Sequence, residues 1–109
     1  MITIRIDMTD FTLDMEGHAG APREGEFDLV CCAASTIAQM LLHSIENYND
    51  RHNGIRKIDE EIDKGRLHIR IRAKEWARPA VISRMHLVRE GLEMLQERYP
   101  EYIQIAEEA

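Results

Sequence analysis

The sequence predicts an α+β fold: a small, mainly antiparallel sheet with two helices packed on one face, in the order ββαββαβ. Three observations lead there. Apolar residues alternate at a period of two in five short runs, two longer segments carry them at a helical period, and turn-forming residues separate the segments. The 109 residues fit one domain spanning 1–109, and 44% hydrophobic with 31% charged residues is the composition of a folded globular chain, not a disordered one.

The first hairpin is read over about residues 2–16. Ile2, Ile4, Ile6 and Met8 alternate with polar residues, Phe11, Leu13 and Met15 do so again, and Thr9 and Asp10 form the turn between them. Residues 17–27, GHAGAPREGEF, hold three glycines and one proline with no sustained period, which predicts a mobile loop.

A helix follows from about 29 to 49, with Asp28 as its N-cap. Its apolar stripe is Val30, Ala33, Ala34, Ile37, Leu41, Ile45 and Tyr48. Asn53 and Gly54 end that region.

Residues 55–62 are weakly strand-like, and Leu67, Ile69 and Ile71 alternate with Arg66, His68, Arg70 and Arg72. Asp63, Lys64 and Gly65 supply the turn of this second hairpin. Pro79 suits the first turn of a second helix with the stripe Val81, Met85, Val88, Leu92, Leu95 and Tyr99, which Pro100 stops. Residues 102–105 alternate once more and make one short strand. So small a sheet has open edges, which pairing of two protomers would cover.

Charge and cysteine usage exclude several function classes. Lys plus Arg number 14 against 20 Asp plus Glu, a net charge of -6, which disfavours direct nucleic-acid binding. The apolar stretch from Phe27 to Leu42 is interrupted by Asp28, Cys31, Cys32, Ser35, Thr36 and Gln39, short of the roughly 20 apolar residues of a membrane span. With Asp7 and Asp10 where a signal peptide would be apolar, a cytoplasmic location is expected, with no membrane partner. The two cysteines are adjacent, so they cannot staple a loop, and both are expected as thiols.

Cys31 is the candidate nucleophile. Capped by Asp28, the helix would hold Cys31 in its first turn, where unpaired backbone N–H groups favour thiolate. His18, thirteen residues upstream at the end of the second strand, could take the thiol proton and return it to a leaving amine. The plainer alternative is a Cys31 that packs as a small apolar residue and a His18 that is merely a surface loop residue.

Cys32 points about 100° away around the helix and is read as structural, at the margin of the buried face. Adjacent cysteines also lack the CxxC separation that wraps zinc, so neither a metal nor another cofactor is expected. His43, His52, His68 and His86 show no ligand spacing. Arg66, Arg70 and Arg72 could hold a carboxylate, but the acidic run Asp59, Glu60, Glu61 and Asp63 across the hairpin offers them cross-strand partners.

Gly17-His18-Ala19-Gly20, a short loop, then Asp28-Leu29-Val30-Cys31, two small residues and Ser35, resembles the ribosomal-processing cysteine protease family of bacteria. The motif covers residues 17–36, and the remainder is compatible with that family's two-helix, single-sheet fold. The resemblance implies a cytosolic, homodimeric cysteine endopeptidase that removes the N-terminal leader peptide of a large-subunit ribosomal protein precursor, number twenty-seven. Cys31 matches the family nucleophile and His18 its general base. Gly17, Ala19, Gly20 and Gly25 then belong to a substrate loop that closes over the peptide. Asp28 and Ser35 match supporting positions: Asp28 by capping the helix, Ser35 by a hydrogen bond from one turn beyond Cys31.

The sequence departs from that pattern twice. The loop between His18 and Asp28 is one residue longer, and Cys32 stands where alanine is usual, either as an oxidation partner for Cys31 or as filler of an alanine-sized pocket. Two rival functions remain open at this level: a catalytically silent dimeric module binding a ribosomal protein or its leader, and a redox sensor using the Cys31–Cys32 pair.

Overall fold

The computed structural model describes residues 1–17, 26–63 and 65–106, with the backbone alone for 26–28. The elements are β1 (Ile2–Asp7), β2 (Thr12–Gly17), α1 (Glu26–His52), β3 (Ile55–Asp63), β4 (Arg66–Ala73), a short 3-10 turn (Glu75–Ala77), α2 (Arg78–Arg98) and β5 (Ile103–Ala106). The five strands form one sheet in the order β3-β4-β2-β1-β5. Three of its four pairings are antiparallel, and β5 joins β1 in parallel. The predicted fold class and element order therefore hold, with one parallel strand at the edge.

The sheet is apolar on a single face. Ile2, Ile4 and Ile6 of β1, Leu13 and Met15 of β2, Leu67, Ile69 and Ile71 of β4 and Ile103 of β5 are all buried, each separated from the next by an outward-facing residue. That face meets Val30, Ala34, Ala38, Leu41, Leu42 and Ile45 of α1 and Val81, Met85, Val88, Leu92 and Leu95 of α2. An 18-residue window within Leu29–His52 of α1 has a mean hydropathy of 1.4, apolar enough in composition for a membrane span, but here the apolar stripe packs on the sheet and α2.

The outer face of the sheet carries charge. Asp59 stands opposite Arg70, Glu61 opposite His68 and Asp63 opposite Arg66, so Arg66 and Arg70 meet the acidic strand as expected, whereas Arg72 faces Lys57 and Glu60 faces Ile69. Arg70 also reaches Asp10 at 3.1 Å, and His68 pairs with Asp14.

Several boundaries differ from the sequence reading. Phe11, expected inside the second strand, sits in the turn with a φ of 56° while its ring stays buried. The cause is local: Asp7 Oδ1 accepts the backbone N–H groups of Thr9 and Asp10, closing a turn tight enough to drive Phe11 into the left-handed region. The core pays for that conformation by enclosing a whole aromatic side chain, and Arg78 covers the ring at 4.4 Å.

At the other end of α1, Asn53 takes a φ of 54° and Asn49 Oδ1 accepts the Ile55 N–H, so the Asn53-Gly54 stop holds, three residues beyond the predicted helix end. Gly54 is required there, because a Cβ would lie 2.6 Å from that of Ala77. Pro79 falls in the first turn of α2, as expected.

The Asp7 turn leaves a pH signature. Hydrogen bonds from the Asp10 and Thr9 backbone N–H groups hold the Asp7 carboxyl below its usual value of 3.8. A depressed carboxyl contributes stability that is complete above that value and is lost as pH falls through the folded-state pKa. Urea midpoints at about pH 6 and about pH 3 should therefore fall less on acidification for Asp7→Asn, which keeps an acceptor oxygen without the charge, than for the parent chain.

Candidate functional site

The site is built where the N-terminal part of α1 crosses the ends of β1, β2 and the β3–β4 hairpin. Cys31 and Ser35, one helical turn apart, face a cavity whose other walls are Ile2 and Met15, Gly17 at the end of β2, and Ile62, Asp63, Gly65, Arg66 and Leu67 of the hairpin. Cys31 is half-buried, and neither cysteine is in a disulfide.

Two backbone features shape the walls. The Gly17 N–H donates to the Gly65 carbonyl at 2.8 Å, tying the end of β2 to the hairpin turn. Gly65 itself has a φ of 72°, which a side chain rarely adopts.

The cavity holds about 160 Å³, below the roughly 300–1,000 Å³ of pockets that enclose a whole small molecule. Its size and apolar lining suit one side chain of a polymer whose backbone runs outside. A half-buried thiol at the rim of such a cavity can meet the carbonyl carbon of an adjoining peptide bond.

The structure brings together Cys31, Ser35 and Gly17 of the predicted site. His18, Ala19, Gly20 and Gly25 lie outside the described residues, as does the longer loop to which they belong. Asp28 is described by its backbone only, and its position alters the capping assignment. Because α1 starts at Glu26, Asp28 is the third helical residue and not the N-cap. The acidic side chain was read as a cap because it directly precedes the apolar stripe, whereas the helix extends one further half-turn through Glu26 and Phe27.

By the same shift Cys31 belongs to the second turn. Its own N–H is the donor of a regular i→i−4 bond, and the free N–H groups of the helix start lie about one turn away. The macrodipole acts most strongly within the first turn, so its influence on this thiol is smaller than the sequence reading assumed.

Cys32 is exposed, with its carbonyl accepting a hydrogen bond from Thr36 Oγ1 at 2.8 Å. It therefore does not fill a buried alanine-sized space. Among the described residues, no group of three or more His, Cys, Asp or Glu is placed to hold a metal ion.

The hairpin wall escaped the sequence reading, which assigned Ile62, Asp63, Gly65 and Arg66 to a strand and turn. The available signal was Ile62, an apolar residue within the acidic run of residues 59–63 at the end of the strand.

Residues 1–104 match the family described as cysteine protease Prp. Solved structures share the fold. A ribosomal processing protease Prp from S. aureus in complex with a substrate peptide superposes with a TM-score of 0.72 at 23% identity, covering 97% of this chain and 98% of that one. The structure of such a protease from S. aureus with a covalently linked product peptide gives 0.67 at 25% identity, covering 96% and 97%. A Streptococcus mutans protein gives 0.67 at 19% identity, covering 95% and 89%. No curated protein sequence matches the chain.

The hairpin turn offers a direct check on the cavity wall. Gly65→Ala forces a side chain into a left-handed conformation and should cost about 1 kcal/mol. Thermal unfolding should show this as a midpoint lower by about 4–8 °C.

Proposed function

The chain belongs to the cysteine protease Prp family, and from that premise we propose that it is a cytoplasmic endopeptidase in which His18 and Cys31 cut the N-terminal leader from a large-subunit ribosomal protein precursor, number twenty-seven. One observation carries the assignment of residues: Cys31 and Gly17, the sequence neighbour of His18, line the same cavity. The peptide complexes of the S. aureus relatives support the substrate class.

In this reading His18 takes the Cys31 thiol proton, and the thiolate attacks the scissile carbonyl carbon. The oxyanion is directed toward the free N–H groups at the start of α1, one turn from the sulfur. Collapse of the tetrahedral intermediate expels the amine, which takes the proton from His18. Water then attacks the thioester, its proton passes to His18, and the leader acid and free thiol are released. Ser35, on the cavity wall one turn beyond Cys31, orients a group there through its hydroxyl, and Asp28 helps hold the helix start. Neither a metal nor another cofactor enters the reaction.

Cys31→Ala and His18→Ala should each lower cleavage of that precursor by roughly 10³-fold or more while leaving the fold intact, and Cys32→Ala should keep most activity. Unimpaired cleavage by Cys31→Ala refutes the assignment. The silent-module rival is separated by alkylation in a Cys32→Ala background: an activated Cys31 reacts with iodoacetamide faster than a thiol of ordinary pKa, an inert one does not. The redox-sensor reading loses ground because a bridge between helical neighbours needs a strained ring that a regular α-helix does not accommodate.

The homodimer belongs to the same proposal. On α2, Leu87 and Met94 are both more than half exposed and stand two helical turns apart, an apolar pair available for a partner. Sedimentation equilibrium should give twice the 12.7 kDa chain mass, and Leu87→Lys should shift it toward the monomer.

A further inference from the structure

The cavity at Cys31 does not stop at Ser35. Ile62 forms part of its wall and also part of an adjoining open cleft with Thr36, Gln39, Met40, His43, Glu46 and Glu60. On α1 these positions continue from Ser35 by successive turns, and on β3 they run back from Asp63 through Ile62 to Glu60. The two openings are thus one groove between α1 and β3, with the thiol at one end.

The strand bordering this groove is a nine-residue sheet edge. β3 is paired by β4 on one side only, and no described strand takes the other. The opposite edge of the sheet is blunted: β5 has four residues, and its Ile105 N–H is taken by Gln96 Oε1 at 2.6 Å. A long open edge is a template for an extended chain.

The side chains indicate what kind of chain. Ile62 is 52% exposed and Met40 45%, giving the groove an apolar floor. Glu46 and Glu60 stand on its walls, and among the described residues no Lys or Arg lines this cleft. A second copy of this chain is a poor fit, because antiparallel self-pairing centred anywhere in Asp59–Asp63 sets carboxylates opposite carboxylates.

We propose that this groove is the subsite that leads substrate polypeptide away from the scissile bond. The segment lies extended along the free edge of β3, with an apolar side chain on Met40 and Ile62 and a basic side chain at Glu46 and Glu60. The proposal rests on Cys31 as the nucleophile for its catalytic meaning, but the peptide binding it predicts is measured without catalysis.

The test uses the full chain carrying Cys31→Ala and two fluorescein-labelled peptides with the same apolar residues, one followed by lysines and the other by glutamates. Anisotropy titrations compare this protein with one that also carries Glu46→Lys and Glu60→Lys, both at exposed positions that a charge change does not unfold. The lysine peptide should bind about tenfold more weakly to the charge-reversed protein, the glutamate peptide should bind it more tightly, and added salt should shrink both differences.

A reversal of the same size at Glu97 and Glu101, outside the groove, should leave both affinities unchanged. Equal binding of the two peptides, or an equal response to the Glu97 and Glu101 reversal, overturns the proposal. So does a fall in oligomer mass on the groove reversal, which would assign the edge to a second copy. Failure of the Cys31 chemistry would appear in cleavage and leave this binding result standing, and the converse outcome is equally readable.

Discussion

The rotation of α1 about its own axis is the constraint on which the site depends. Val30, Ala34, Ala38, Leu41 and Ile45 must all face the sheet, and a helix advances 100° per residue. With that stripe buried, Cys31 points roughly 60° to one side of its centre, toward the β3–β4 hairpin, and Ser35 follows it. Cys32, another 100° round, can only face solvent. The exposure of one cysteine and the half-burial of its neighbour are therefore consequences of core packing, not of any difference between the two thiols.

The small residues in the stripe matter for the same reason. Ala34 and Ala38 are fully buried and let the helix backbone approach the sheet closely, so that a short side chain such as cysteine reaches the cavity formed by the strand ends. The walls of that cavity come from stretches far apart in the chain: β1, the end of β2 and the second hairpin. The Gly17 to Gly65 hydrogen bond joins two of them, and the conformation of Gly65 sets where the hairpin turns back. The Cys31 thiol, carried on a core helix, is thereby held by packing, while the groove beside it is bounded by a strand edge open to solvent.

Legibility varied with the physical origin of each feature. The strands were readable because burial on one face imposes a period of two, and the helix stripes because burial of one side imposes a period near 3.6. Phe11 misled because a side chain can stay in the core while its backbone leaves the strand, so the apolar pattern continues through a turn. Asp28 misled because an acidic residue serves equally well as a cap or within the first helical turn. Cys32 was assigned to the margin of the buried face, although the correctly read stripe already sets it roughly 160° from the centre of that face, on the solvent side.

The amino-acid sequence by itself determined the order of elements, the apolar face of each and the Cys31–Ser35 pairing on one side of a helix, since all of these follow from local periodicity. Which side of α1 opens onto a cavity, and that the β3–β4 hairpin rather than another strand pair forms its far wall, only the tertiary structure decided. Sheet order and register depend on contacts between residues distant in sequence, and no local pattern encodes them. The groove beside β3 is of the same kind, existing because β3 became an edge strand and lay against the exposed flank of α1.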